Sequence, residues 1–217
     1  MYIREYMHTD VITTTSDTPI HDAEKIMRDR NIRRLPVVDK GKLVGIVTRG
    51  RIREATAPKA TSLSVWELNY LLSKMKVRDV MTKDVITIPP DMPLEKAVAL
   101  GQEKGMGAFP VMDGNRLVGI VTDTDLYKVA AHVLGFGQPG LRLHILEPSR
   151  HGSTTEVIDI INRNKYGIKI LSLFHVTPPT IQQESCIIHL DTEDANKVDG
   201  IIAELKNKGY QAQIRAF

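Results

Sequence analysis

A shift of 74 residues lays residues 3–55 over residues 77–129 without a gap and with eighteen identities. The identities fall in blocks. Asp10-Val11-Ile12-Thr13 matches Asp84-Val85-Ile86-Thr87, Pro19 matches Pro93, and Pro36-Val37 matches Pro110-Val111. The longest block is Leu43-Val44-Gly45-Ile46-Val47-Thr48 against Leu117-Val118-Gly119-Ile120-Val121-Thr122. An internal repeat of this length constrains the fold more than any composition does, because two copies of one small unit are expected to pack about a local twofold axis.

Within each repeat the hydrophobic period changes in a fixed order. A short β-type run (11–14; 85–88) gives way to a helical one opened by proline; Ile20, Ala23, Ile26 and Met27 share a face in the first copy, and Leu94, Ala97 and Val98 do the same in the second. Strands follow at 35–39 and 109–113, then tight turns at Lys40-Gly41 and Gly114-Asn115, a second apolar strand and a second helix. Each unit therefore reads strand, helix, strand, strand, helix. A three-stranded sheet that small leaves an apolar face open, and pairing of the repeats closes the core.

Between the repeats, Ser64-Val65-Trp66-Glu67 is a capping-box pattern followed by Leu68, Leu71, Leu72 and Met75 at helical spacing, so the connector is expected to be a helix with Trp66 buried on the module. Gly135, Gly137 and Pro139-Gly140 mark a boundary. Beyond it the order is strand (141–146), helix (155–164), strand (168–176), strand (185–190), helix (195–208) and strand (211–217), the order of a ferredoxin-like domain. Ser153-Thr154-Thr155-Glu156 is expected to cap the first of these helices; Ala195, Val198, Ile202 and Leu205 form the apolar stripe of the second, which Gly209 stops.

Composition excludes several functions. A net charge of +3, with acidic and basic residues interspersed, is no footprint for nucleic acid, and no apolar run reaches the roughly 20 residues that span a bilayer. The first residues, Met1-Tyr2-Ile3-Arg4-Glu5-Tyr6, have no signal-peptide core, so a cytoplasmic location is expected. The single cysteine, Cys186, lies in an apolar run and reads as a core residue. The seven histidines show no metal-ligand spacing, Cys186 has no evident base and no phosphate loop occurs, so neither catalysis nor a catalytic cofactor or metal is expected.

The most specific local motif is Gly119-Ile120-Val121-Thr122-Asp123-Thr124-Asp125 at a strand-to-helix junction. A glycine admits close approach, a hydroxyl beside free helix amides can hold an anion, and the carboxylate of Asp125 is acceptor-only and suits the two hydroxyls of a ribose. These residues describe a nucleoside or nucleotide site; the plainer alternative is that Thr122 and Asp123 cap a helix. Arg33 and Arg34 add charged donors, each hydrogen bond from which contributes about 1.5–3 kcal/mol to anion binding. Asp123, a carboxylate at the same helix start, opposes a polyphosphate.

The repeat, with Arg33-Arg34-Leu35-Pro36-Val37-Val38-Asp39, residues 43–48 and residues 117–126, resembles a pair of CBS domains, the tandem regulatory unit called a Bateman module. The resemblance implies an α/β (α+β) fold with two CBS repeats at 1–60 and 77–134, joined by a connector helix at 61–76 and packed about a pseudo-twofold axis. It also implies an adenosine-containing ligand, AMP, ADP, ATP or S-adenosylmethionine, between the repeats. Ribose would be held by Thr122, Thr124 and Asp125, and the rest of the cleft formed by Asp10, Ile12, Ile32, Arg33 and Arg34. In the second cleft, formed by Thr48, Arg51, Ile86 and Met106, Arg51 stands where Asp125 stands in the first and cannot accept from ribose, so that cleft is expected to be empty or to take a more anionic ligand.

Residues 141–217 are similar to an ACT domain in element order, in Arg150-His151-Gly152-Ser153 ahead of Thr155-Glu156-Val157, and in Gly167-Ile168-Lys169-Ile170. The first loop reads Ser149-Arg150-His151-Gly152 where many ACT domains read Asp-x-Pro-Gly, which favours dimerisation over effector binding there. The whole arrangement resembles the acetoin-utilisation AcuB family. It implies a non-enzymatic, homodimeric sensor acting on a regulated enzyme, with an amino-acid sensor whose CBS pair is a scaffold as the alternative.

Overall fold

Each repeat is built from a helix, a two-stranded hairpin and a second helix, preceded by a lead segment that crosses to the other repeat. A computed structural model of the chain describes residues 1–56, 65–146, 152–163, 167–177 and 185–215, and divides it into two units, Met1–Tyr127 and Lys128–Phe217. In the first unit, α1 (Ile20–Asp29), β1 (Arg34–Asp39), β2 (Lys42–Thr48) and α2 (Arg49–Thr56) form repeat one. The connector helix α3 (Val65–Lys74) and a short α4 (Val77–Val80) follow, then α5 (Leu94–Lys104), β3 (Ala108–Asp113), β4 (Arg116–Thr122) and α6 (Asp123–Val133).

The hairpins share one register. Leu35 pairs with Val47 and Phe109 with Val121, and both ladders slip at the same place, between Val37 and Val38 and between Val111 and Met112. Just past α1 the chain turns left-handed at Asn31 (φ 51°), and α5 is capped at the equivalent Gly105 (φ 62°), positions where only asparagine or glycine fits readily.

The runs at 11–14 and 85–88, expected as strands, each form one parallel bridge: Thr14 to Val37 and Ile88 to Val111. Thr14 N–H donates to the Pro36 carbonyl at 3.0 Å and Val38 N–H to the Thr14 carbonyl at 2.8 Å. One rung earlier the donor would be Pro36, which has no N–H; one rung later the Ser16 N–H is taken by the Asp39 carboxylate at 3.0 Å. Repeat two has Pro110 and Pro90 at these positions, so its ladder stops in the same places.

Reciprocal pairs express the twofold relation. His8 exchanges hydrogen bonds with Ile120 of β4 (2.9 and 3.0 Å), and its equivalent Thr82 exchanges them with Ile46 of β2 (2.9 and 2.9 Å). Ile3 N–H donates to Met92 and, equivalently, Val77 N–H to Thr18. Val77 and Val80 thus pack in the core of repeat one with Ile20, Ala23, Met27, Leu35, Val37, Val47 and Ile52. Each fully buried aliphatic side chain of this kind contributes about 1.5–3 kcal/mol. The exchange also explains the glycine of each long identity block. A Cβ on Gly45 would lie 2.6 Å from Met81 Sδ and 2.9 Å from the Thr82 carbonyl, and one on Gly119 would meet Met7 Sδ and the His8 carbonyl.

Two burial expectations fail. Trp66 is 86% exposed; it and Tyr70 share the face of α3 opposite the half-buried Leu72. Ser64 and the side chains of Leu68 and Leu71 lie outside the described residues. Val98 is also exposed; the buried residues of α5 are Leu94 and Ala97, and the equivalent of Val98 in α1 is Glu24.

The second unit contains β5 (Leu141–Leu146), α7 (Ser153–Asn162), β6 (Ile170–Val176), β7 (Ser185–Leu190), α8 (Ala195–Asn207) and β8 (Gln211–Arg215). The antiparallel sheet has the order β6-β7-β5-β8, a ferredoxin-like βαββαβ arrangement compatible with an ACT-like domain. Leu143, Ile145, Cys186, Ile188 and Leu190 form the sheet's side of a core completed by α7 and α8. Within α8, Val198, Ile201 and Leu205 are the buried residues, whereas Ala195 is exposed and Ile202 half-buried, a rotation of the stripe by one position. The capping box expected at α7 does not form. Gly152 takes the cap position at φ 85°, and the Glu156 carboxylate accepts instead from the Tyr210 hydroxyl at 2.7 Å and pairs with Lys208 at 3.1 Å. The loop carrying Ser149, Arg150 and His151 lies outside the described residues.

Candidate functional site

The junction from β4 into α6 is organised by a reciprocal cap. The Asp125 N–H donates to the Thr122 hydroxyl oxygen at 3.3 Å, while the Thr122 N–H and hydroxyl donate to Asp125 Oδ2 at 2.9 and 2.6 Å. A cap therefore forms at this junction, on two of the residues to which the ligand reading also points. The cap fixes the carboxylate, and its other oxygen, Oδ1, faces His8 Nε2 at 3.0 Å. Asp125 is only 7% exposed. Burial alone would raise its pKa, but hydrogen bonds from the Thr122 hydroxyl, His8 and the Thr122 amide outweigh it and hold the carboxyl below its ordinary 3.8.

A cavity of about 430 Å³ opens beside this carboxylate, within the range of about 300–1,000 Å³ usual for small-molecule sites. Asp10, Ile12, Ile32, Arg33 and Arg34 line it from repeat one and Thr122, Thr124 and Asp125 from repeat two, so all eight residues singled out in the sequence meet on one wall-to-wall cleft. Sequence reasoning missed His8, Asn31, Pro36 and Ile120 as lining residues, and had Asp123 only as a repulsive charge. It also missed Gly107, which does not line the cavity but adjoins two residues that do. A Cβ there would collide with the Arg34 guanidinium and lie 2.8 Å from Asp123 Oδ2, so the glycine leaves room for both groups at the mouth of the cleft. The available signal was the 74-residue register, in which Gly107 answers Arg33 and Thr82 answers His8.

The corresponding positions of the other cleft carry different chemistry. Thr48 ends β2 and still accepts from the Arg51 N–H at 3.2 Å, but the Arg51 side chain turns to Glu54 at 3.5 Å. Arg49, the equivalent of Asp123, donates to the carbonyls of Met27 and Ile32 at 3.2 Å each and so serves the end of α1. Ile86 and Met106, both half-buried, stand at the equivalents of Ile12 and Ile32.

A repeated hairpin-and-helix unit with exchanged lead segments and a threonine-aspartate cleft defines a CBS pair. The family model for the CBS domain matches residues 3–57 and 77–132, more than half of the chain, and the protein belongs to the CBS-domain family. It is similar to protein MJ1225 of Methanocaldococcus jannaschii, whose crystal structure is described as that of an archaeal homologue of g-AMPK. That likeness is 31% in identity, covers 60% of this chain and 48% of the other, and has a TM-score of 0.53. An acetoin utilisation protein (AcuB) from Vibrio cholerae matches at 26% identity over 62% of this chain and 95% of its own, also with a TM-score of 0.53. Among curated proteins, homoserine O-acetyltransferase of Methanohalobium evestigatum is 32% identical over 130 residues, which are 59% of this chain and 24% of that enzyme. The chain thus spans less than half the length of this enzyme and of MJ1225, which it matches over 47% of the curated sequence. No helix among the described residues is long and apolar enough to cross a membrane.

Proposed function

We propose that the protein is a non-enzymatic cytoplasmic sensor that binds one adenosine-containing ligand per chain in the Asp125 cleft and passes that state to a partner enzyme or to its own dimer. The observation that carries the reading is the meeting of Asp10, Ile12, Ile32, Arg33 and Arg34 with Thr122, Thr124 and Asp125 around a single cavity. Asp125 accepts the ribose hydroxyls, Thr122 holds it in place, and Ile12, Ile32 and Ile120 give the base apolar walls. Arg33 and Arg34 face the phosphate end, with Asp123 limiting how much negative charge is tolerated. AMP and S-adenosylmethionine fit that balance as well as ADP and ATP do. The degenerate cleft of Thr48, Arg51, Ile86 and Met106 contributes no ribose acceptor.

Because each repeat completes the other's core and both contribute to the cleft, a ligand that prefers one arrangement of the repeats shifts their equilibrium by its differential affinity, typically about 1–3 kcal/mol. The ACT-like domain at 141–217 is the dimerising element in this reading, with the edge strand β8 available for pairing across subunits. Thermal denaturation with AMP, ADP, ATP, S-adenosylmethionine and a panel of amino acids tests the assignment. A ligand at about a hundredfold excess over Kd stabilises by about 2.7 kcal/mol. Stabilisation by an adenosyl compound supports the proposal; stabilisation by an amino acid alone moves sensing to the ACT-like domain and leaves the CBS pair as a scaffold.

A further inference from the structure

His8 comes from the lead segment of repeat one, yet its backbone is fixed to Ile120 of repeat two by two hydrogen bonds, and its Nε2 sits 3.0 Å from Asp125 Oδ1. Oδ2 is already taken by the Thr122 amide and hydroxyl. The oxygen that a ligand's diol would use is therefore the oxygen that His8 holds. The pair belongs to this cleft alone: at the equivalent positions of the repeat stand Thr82 and Arg51.

We propose that His8 is a latch on Asp125, released when a ribose-bearing ligand enters, and that protonation of its imidazole tightens the latch and weakens the ligand. The inference rests on the adenosyl reading of the cleft and concerns its regulation. The latch has the geometry it requires: the imidazole side chain is 63% exposed and free to swing outward, whereas the Asp125 side chain is 9% exposed and fixed by its cap. Asp10 on the same segment, Arg33 and Arg34 ahead of and in β1, and Asp123 and Asp125 at the start of α6 are the charged groups that share the cleft with it. Among the described residues, Asp125 is the one hydrogen-bonded to the imidazole. A neutral imidazole gives Asp125 a single hydrogen bond, while an imidazolium adds a full opposite charge, and imidazoles change between these forms near physiological pH.

Adenosine, which has no phosphate to titrate, is the probe. Calorimetry at about pH 5.5 and about pH 8 compares the full chain with His8→Thr, the residue that repeat two uses. The latch predicts binding to the unsubstituted chain weaker by about fivefold or more at the lower pH, and His8→Thr binding nearly independent of pH and tighter at the lower one. Equal pH dependence in both proteins, or weaker binding by His8→Thr at both pH values, overturns the latch. A second measurement needs no ligand: carboxyl-carbon NMR of Asp125 should show its pKa rising in His8→Thr, and an unchanged value removes the pair itself. A risen pKa together with no adenosine binding by either protein overturns the adenosyl reading and the gating role with it, so the two failures are told apart.

Discussion

The Thr122 hydroxyl donates to Asp125 Oδ2 at 2.6 Å, and this one bond ties the start of α6 to the acceptor of the proposed ligand. Thr122→Ala removes the cap and is expected to cost about 1 kcal/mol of stability, and it frees the carboxylate from its fixed orientation. Thr122→Ser keeps the oxygen and is expected to retain both stability and binding. Urea denaturation beside ligand titration of the two variants separates these outcomes, and equal behaviour of alanine and serine would contradict the cap.

Asp125 also gives stability a defined pH dependence. Its folded-state pKa lies below 3.8, whereas an unfolded Asp titrates near about 3.9, so the unfolded chain binds the proton more readily. The contribution is therefore complete above about pH 4 and is lost as the pH falls through the folded-state value. Asp125→Asn removes it. The stability gap between the two proteins should shrink as the pH falls below about 4; a gap that is unchanged or still widening there contradicts the assignment.

The outline of this site was legible because the repeat supplied it twice. Residues read at one register, such as Ile12 with Ile86 and Thr122 with Thr48, had to occupy equivalent places, and the hairpins followed from proline, glycine and apolar runs. Less was legible where the two copies differ. Nothing at His8 signals a cleft residue until the exchange of lead segments is known, since His8 reaches Asp125 across 117 positions of sequence. The short bridges at Thr14 and Ile88 depend on which N–H groups proline withholds, and the outward face of Trp66, shared with Tyr70, is not readable from its hydrophobicity.

The exchanged segments make Gly45 and Gly119 equivalent for stability and different for binding. A methyl at either site meets a backbone carbonyl, of Thr82 at 2.9 Å or of His8 at 3.1 Å, which cannot give way as a side-chain end can. Each alanine substitution is expected to cost about 1–3 kcal/mol in chemical denaturation. Gly119→Ala should also change ligand affinity, tightening it at low pH where the displaced His8 loosens its hold on Asp125, whereas Gly45→Ala acts on the other side of the pair and should leave affinity nearly unchanged.

Gly107→Ala acts on the opposite wall. The groups it meets, the Arg34 guanidinium and Asp123 Oδ2, are side-chain ends that can move, so the melting temperature should change little while nucleotide affinity falls. A large loss of stability with unchanged affinity contradicts this account of the cleft mouth.

Arg51→Asp restores to repeat one the carboxylate that Asp125 provides in repeat two. The Thr48 hydroxyl already accepts from the backbone of residue 51, so the partner needed to orient a carboxylate is in place. The substitution is expected to create a second, weaker site, read as an additional binding event in calorimetry; stoichiometry unchanged at every ligand concentration would show that Arg49 or the wall residues block the cleft.

The most direct test of the central claim is isothermal titration of the chain with AMP, ADP, ATP and S-adenosylmethionine beside Asp125→Ala and Asp125→Asn, each variant checked for folding by circular dichroism. The account predicts one saturable site per chain for at least one of these compounds, lost in both folded variants. Binding that survives both substitutions, or the absence of binding by the unsubstituted chain to all four, would contradict it.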